Sequence, residues 1–488
     1  MIKKINARYD GRIILLFFCA GIFLPLALTG CGLFGAPKKI AVKIPRNFKY
    51  SVKTVNYRGK NRWWKNFDDA ALDGLVDKAL KNNLNYLIAV KNIQVAKTYV
   101  SQNESGLFPT VNFSFGSERN KLPGYETSLF SGGSSKSSSV IYNLNQAGLN
   151  ASYELDVWNQ VNNAVKQAKA NVSVSKEDAG VVELTLISNV AQAYFQFKAL
   201  EESIINLKKQ YLAQKEILNL DIAQYKYGLI DAEPVENARI SLETIGAELN
   251  GSVKLKNITR NTLAYYLGKF PEKFSIDAKA ENINYYRTGM NYSRLVPPDI
   301  PSLILTQRPD VKGAEYNVLS YAYAKKESLA NFFPVFSLTG SYGYASPGLV
   351  NFIDDTNSIW NFGINILAPV FNYKTNISIY KRSKLQYQQA VLNYRNAVIN
   401  AFAETDSALA SYKRDIKTLK SYERNFAYSA KLFHIYKIQY GTGIASRLTY
   451  LTYKLDMLNE EYNLINQDLL VREDVINIYN ALGMGLKD

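Results

Sequence analysis

Two periodicities take turns along the chain. Val111, Phe113 and Phe115 are separated by Asn112, Ser114 and Gly116, and Leu149, Ala151, Tyr153 and Leu155 alternate with Asn150, Ser152, Glu154 and Asp156. Further on, Phe336, Leu338 and Tyr342 share one strand face, and Phe362, Ile364 and Ile366 share another. Apolar on one side and polar on the other over about ten residues is the pattern of a barrel-wall strand in a membrane, and equally of an amphipathic sheet on a soluble core. Between the strands the period lengthens. Leu448, Leu451, Leu455, Leu458, Tyr462, Ile465 and Leu469 recur in alternating steps of three and four, a heptad seam, and Leu184, Ile187, Ala191 and Tyr194 step the same way. From 157 to 228 there is no proline, and Gly180 is the one glycine before Gly228. Half of that span as a single helix reaches on the order of 50 Å at 1.5 Å per residue, which suits a tube or rod better than a compact domain.

The pattern occurs twice. Phe108-Pro109 leads into the strand at Val111, as Phe333-Pro334 leads into the strand at Val335. Gln224-Tyr225-Lys226-Tyr227-Gly228 matches Gln439-Tyr440-Gly441-Thr442-Gly443, and Tyr266-Leu267-Gly268 matches Ala481-Leu482-Gly483. The spacing changes by about ten residues between the first match and the later ones, which the Gly/Ser-rich stretch 122–139, longer than its partner 345–358, absorbs. Each half therefore reads helix, two strands and a long helical hairpin. The divisions are 1–30 signal peptide, 31–62 lipidated linker, 63–270 first repeat, 271–300 inter-repeat linker and 301–488 second repeat.

Four strands cannot close a cylinder, because single-chain barrels begin at eight. An open sheet edge in hydrocarbon leaves unpaired backbone groups that cost several kcal/mol each. If these strands enter a bilayer, several copies must share one barrel, with ring symmetry as the natural solution.

Composition narrows the chemistry. Hydrophobic residues make up 47% and charged residues 20% of 488, so the chain is not disordered by composition. A mean hydropathy of −0.18, with no apolar run near the ~20 residues of a spanning helix after residue 30, excludes a polytopic helical membrane protein. His434 is the single histidine, and Cys19 and Cys31 are the two cysteines. That stock builds no zinc site, Cys/His dyad or disulfide framework, so no catalytic residue, metal or cofactor is expected, and enzyme function is the weakest candidate. The net charge of +16 is spread among Asn and Tyr without a compact run, which speaks against nucleic acid. Arg308-Pro309-Asp310 reads as structural, with Pro309 opening a helix and Asp310 in its first turn. Gly228, Gly441 and Gly443 read as backbone devices, and His434 as a packed or surface residue.

The N-terminus is an address. Lys3, Lys4, Arg8 and Arg12 precede the apolar stretch 13–29, the order of an export signal. It ends in Leu28-Thr29-Gly30-Cys31, which resembles a bacterial lipobox with Cys31 as the thiol that takes a diacylglyceryl group. The alternatives are an ordinary signal with a chance cysteine, or an uncleaved anchor. Cys19 would leave with the signal, and several acyl chains on Cys31 would anchor durably. Gly32, in place of the Asp that retains enterobacterial lipoproteins at the inner membrane, favours the outer membrane.

Longer motifs carry a family resemblance. Trp63-Trp64-Lys65-Asn66-Phe67-Asp68-Asp69 with Leu72, Leu75, Ala79-Leu80 and Asn82-Asn83 resembles the opening of the TolC-like outer-membrane efflux lipoprotein family. Ser152-Tyr153-Glu154-Leu155-Asp156-Val157-Trp158 is similar to its strand-to-helix junction. Pro301-Ser302-Leu303, Gln307-Arg308-Pro309-Asp310-Val311 and Ala314-Glu315, running to Phe333-Pro334 and Leu338-Thr339-Gly340, resemble its most characteristic segment. Two departures touch junction geometry: Asn159 stands where the family usually has Gly, and Asn372-Tyr373-Lys374-Thr375 replaces a Gly-rich turn.

The resemblance implies an α+β membrane protein. A homotrimer would share one transmembrane β-barrel, four strands per chain, continued by a periplasmic α-helical coiled-coil barrel with an internal two-fold repeat. It implies passive conduction of small compounds, with an inner-membrane resistance-nodulation-division pump and a periplasmic adaptor as partners and outer-membrane lipid around the barrel. Matching the halves places the hairpin tips, and with them the closed end, near 200–207 and 412–419. In Glu404-Thr405-Asp406-Ser407-Ala408-Leu409, similar to the family's constriction segment, Asp406 or Ser407 would face the axis, where a ring of carboxylates favours cations. An ordinary salt bridge for Asp406 is the alternative. Tyr412, Lys413, Arg414 and Asp415 would tie the tips shut, meet the adaptor, or simply be solvated. Two rival readings stay open, an exit duct for type I secreted polypeptides and a pore-less lipid-anchored coiled-coil scaffold. Met1, Met290, Met457 and Met484 are too scattered for a copper or silver route, which favours organic compounds.

Overall fold

The computed structural model describes residues 45–46, 48–50, 62–123, 139–276, 290–296 and 302–485. The signal segment and Cys31 lie outside the described residues. Helices α1 (Ala70–Asn82) and α2 (Leu84–Glu104) lead into strands β1 (Thr110–Leu122) and β2 (Val140–Leu155), then α3 (Gln160–Lys226) and α4 (Ala232–Tyr266). Next come α5 (Pro309–Ala330), β3 (Val335–Ser346), β4 (Ser358–Leu367), α6 (Tyr373–Gly441) and α7 (Arg447–Ala481). Two compact units result. One holds Val95–Ser173 with Tyr316–Leu392, and the other holds Val174–Glu315 and Asn393–Asp488 with Ala41–Gln94.

In the first unit the four strands form one antiparallel sheet in the order β1-β2-β3-β4. Its register places Phe113 beside Leu149, Leu149 beside Tyr342 and Tyr342 beside Trp360, so the apolar residues of all four strands share one face. Two sequence motifs meet below the sheet. Asp156 accepts hydrogen bonds from the backbone N–H groups of Val161 and Asn162, both at 2.9 Å, and so caps the start of α3. Trp158 stacks on Phe333 at 4.7 Å and donates its indole N–H to the carbonyl of Pro334 at 2.7 Å. Asn159 has φ 58°, the left-handed region that Asn tolerates better than most residues, which explains how it fills a place where a glycine is usual. Asn159→Gly should therefore leave stability within about 1 kcal/mol, whereas the β-branched Asn159→Val should lower it by roughly 1–3 kcal/mol, readable as a drop in the thermal midpoint.

The second unit is built on aromatic packing. Trp63 and Trp64 are fully buried; Trp63 lies parallel to Tyr479 at 5.1 Å, and Phe67 packs on Phe195 at 4.8 Å. Asp69 caps α1 through the N–H groups of Ala71 and Leu72 and accepts the Tyr194 hydroxyl at 2.8 Å. Pro309 opens α5 with Asp310 in its first turn. Arg308 donates to Asp310 (3.0 and 2.8 Å), Glu404 (2.8 Å) and the Ala481 carbonyl (2.6 Å), so it holds one of the last carbonyls of α7. The heptad positions Leu451, Leu458 and Ile465 are buried, as are Leu184, Ile187, Ala191 and Tyr194. Leu451 packs with Ala213, Ile217 and Ala238 of α3 and α4.

One expectation is corrected. The segments 200–207 and 412–419 are not hairpin tips: α3 runs unbroken for 67 residues and α6 for 69. Nothing inside either span stops a helix, since a lone interior glycine costs only about 1 kcal/mol. The helices end where a glycine can take a left-handed conformation. Gly228 (φ 69°) donates to the Tyr225 carbonyl while Leu229 donates to Gln224, and Gly443 (φ 77°) donates to Tyr440 while Ile444 donates to Gln439. This pair of bonds is the Schellman cap, formed identically in both hairpins. Gly268 and Gly483 end α4 and α7 the same way.

Candidate conduction wall and hairpin ends

The sheet is two-sided in its chemistry. One face carries Val111, Phe113, Phe115, Leu149, Tyr342, Trp360, Phe362 and Ile364; Phe113 is 70% and Trp360 77% exposed in the single chain. The opposite face carries Asn112, Ser114, Asn150, Ser152, Thr339, Ser341, Asn361 and Asn365. Hydrogen bonds stitch this polar face across strands, from Asn150 to Ser114 at 3.0 Å and from Asn365 to Thr339 at 3.3 Å. A packed soluble core would bury the apolar face, whereas here it is left open along the sheet, as lipid contact requires. No described helix is long and apolar enough to cross a membrane.

At the ends of the hairpins the Schellman caps push an apolar side chain outward. Leu229 is 72% and Ile444 78% exposed, although this residue of the motif commonly packs back on its own helix. Behind the second turn, α6 and α7 are joined by a ladder of rings, with Tyr436 stacked on Tyr453 at 3.7 Å and Tyr440 on Tyr450 at 5.1 Å. The Arg447 guanidinium covers Tyr440 and Tyr450 and donates to the Glu216 carboxylate of α3 at 2.6 Å. That hydrogen bond holds the Glu216 carboxyl below its ordinary value and raises Arg447. Leu229, Ile444 and the Arg447–Glu216 pair were not singled out from sequence. The glycines at 228 and 443, read from sequence only as backbone devices, are the signal that leads to them.

The five residues expected at the gate lie away from the hairpin turns. Asp406, Ser407, Tyr412, Arg414 and Asp415 lie inside α6, which continues to Gly441 before it turns. Asp406 accepts the backbone N–H of Lys49 at 3.0 Å, beside a stack of Phe48 on Phe402. Ser407 and Arg414 are exposed. Tyr412 is buried, and burial, with Asp474 nearby, pushes its hydroxyl up to about 12. Asp415 lies beside Asp474, whose carboxyl is raised by burial and by that neighbour. Asp406, Tyr412 and Asp415 thus brace α6 against α7 and the N-terminal segment.

The profile of the outer membrane efflux protein family matches residues 75–269 and again residues 300–484. The chain belongs to that family. It is an outer-membrane channel of an efflux system, conducting small compounds and extending into the periplasm; the family consists of transport channels. The pyoverdine export outer membrane protein OpmQ of Pseudomonas aeruginosa is 26% identical over 94% of this chain and 95% of its own length. The cation efflux system protein CusC of Escherichia coli K12 is 26% identical over 96% and 99%. The open-state MtrE outer membrane channel of Neisseria gonorrhoeae, 23% identical, superposes with a TM-score of 0.78 over 93% of this chain and 98% of that one. The family match displaces the pore-less scaffold.

Proposed function

We propose that three copies of the mature chain, residues 31–488, share one barrel and conduct small organic compounds outward, driven by an inner-membrane resistance-nodulation-division pump reached through a periplasmic adaptor. The observation that carries this reading is the sheet order: β1 and β4 pair with one neighbour each, so each chain offers two open edges beside a lipid-facing surface. Joining β4 of one copy to β1 of the next satisfies both edges, and three copies bring twelve strands, an even number within the usual barrel range. Cys31 carries the lipid anchor. The repeats 63–270 and 301–488 supply two strands and one hairpin each, with 271–300 between them. The same architecture would serve polypeptide secretion; the family match favours efflux. The names of the relatives point to different cargoes, so they choose none. We assign no catalytic step and no cofactor.

The hairpin turns, rather than 404–419, are the proposed closed end and adaptor contact, because they present Leu229 and Ile444 to a partner and carry the Arg447–Glu216 tie. Protein extracted in detergent should have the mass of three chains and give conductance steps in planar bilayers; a monomer without steps overturns the reading. Both partners of the tie are more than a third exposed, so it is worth at most about 1 kcal/mol, or a roughly fivefold shift between open and closed. Arg447→Ala should raise the open fraction by up to that factor at neutral pH. Because Glu216 is lowered in the folded protein, the tie is complete above the ordinary glutamate value of about 4.3. It is lost as pH falls through the lower folded value, so the wild-type channel should open more in acid and Arg447→Ala should lose that response.

A further inference from the structure

The +16 chain builds a conduction wall with no positive charge in it. Along the four strands the basic residues are Arg119 and Lys121, and both fall on the side of β1 that carries Val111, Phe113 and Phe115. The polar face, read row by row from the register, is Thr110, Ser152, Thr339 and Gly363, then Asn112, Asn150, Ser341 and Asn361, with Ser114, Gly148 and Gly343 beyond them. Two carboxylates stand on this face. Glu154 is paired with Ser337, next to Asn365, in the row nearest the start of α3. Glu118 is near the far end of β1, where Asn120 donates to it at 3.4 Å. Glu154 is exposed, and among the described residues no cation is paired with it.

We propose that Glu154, with Glu118 as a second ring, sets a cation preference for the barrel and so favours cationic over anionic cargo. This rests on the trimeric reading above, in which each residue appears three times around the water-filled wall. A ring of carboxylates on the wall attracts cations and repels anions that pass within a Debye length of it. Arg119 and Lys121, the basic residues of the strands, lie on the opposite side of the sheet, and charges more than about 8–10 Å from the ion path are largely screened at physiological salt. The other polar side chains of the wall are neutral amides and hydroxyls that solvate either sign, interspersed with glycines and a few apolar residues such as Ile359, so these two carboxylates supply its formal charge. The preference is thus opposite in sign to the net charge of the protein.

The test is the reversal potential of reconstituted channels in a potassium chloride gradient. Wild type should favour potassium over chloride. Glu154→Gln should reduce the permeability ratio by about twofold or more, Glu118→Gln should reduce it less, and the outward-facing Arg119→Gln should leave it unchanged. Should Glu154→Gln assemble poorly, Glu154→Cys allows the charge to be switched in the assembled channel with anionic or cationic methanethiosulfonate reagents. The anionic label should restore the preference, and the cationic label should abolish or invert it. Normal conductance steps with a ratio that ignores residue 154 overturn this proposal and leave the trimeric channel standing. Absence of steps in wild type overturns both.

Discussion

Gly343→Val should abolish stable channels. A Cβ at Gly343 would lie 2.2 Å from the carbonyl oxygen of Ala147 and 2.6 Å from the Cα of Gly148, both backbone atoms of the paired strand β2. A clash with a flexible side chain could be relieved by rotation, but here the two strands themselves must separate. The Gly148–Gly343 pair lies inside the β2–β3 ladder, so parting it loses several hydrogen bonds in a sheet whose lipid-facing side supplies no replacements. Each lost bond costs several kcal/mol in hydrocarbon, so several together exceed the roughly 5–15 kcal/mol margin of a typical domain. The expected result is little or no trimer after extraction and no conductance steps. Gly340→Ala is the matched control: a Cβ there meets its nearest atom at 3.8 Å and should be tolerated. Wild-type conductance from Gly343→Val would show that β2 and β3 do not approach this closely.

Arg472→Ala should be the most damaging single change in the helical unit. Arg472 is 1% exposed, donates to Asp468 at 2.7 Å, and lies over the rings of Phe195 at 5.2 Å and Tyr292 at 5.9 Å. The Tyr292 hydroxyl donates to the other oxygen of Asp468. Removing the guanidinium strands the Asp468 carboxylate in the interior and leaves a void between two rings. Breaking a buried pair in this way costs about 3–5 kcal/mol. Glu202, already raised to about 8 by burial despite the nearby Arg472, should rise further once that positive charge is gone. Thermal unfolding of the detergent-solubilised protein should fall by roughly 5–10 °C. Replacing both partners, Arg472→Met with Asp468→Leu, should recover most of that loss, because the stranded charge is the main cost. If the double variant is no better than Arg472→Ala, packing of the guanidinium on the rings, and not charge, holds this site.

Much of the architecture was legible because it rests on local rules. A strand with lipid on one side and water on the other must alternate, so Val111, Phe113 and Phe115 announced their face. The seam of Leu451, Leu458 and Ile465 announced the buried side of α7. The matched glycines of the two halves proved to be one device used four times, the helix-ending Gly228, Gly268, Gly443 and Gly483. The error over the hairpin tips came from placing them by matching the two halves rather than by the signals that end a helix. The absence of any helix stop before Gly228 was already in the sequence and pointed to the observed turn.

The candidate site was less legible, and the reason is distance along the chain. Glu216 meets Arg447 from 231 positions away, and Asp406 takes a backbone N–H from Lys49, 357 positions away. Neither partner leaves a mark in its neighbour's local pattern. The sequence by itself therefore determined the period of each element, the residues that end it, and a strand count too small to close a barrel. Only the tertiary structure decided which face each charge occupies. Strand register and helix packing set those positions, and a shift of one residue in register would have moved Glu154 from the polar wall to the lipid side.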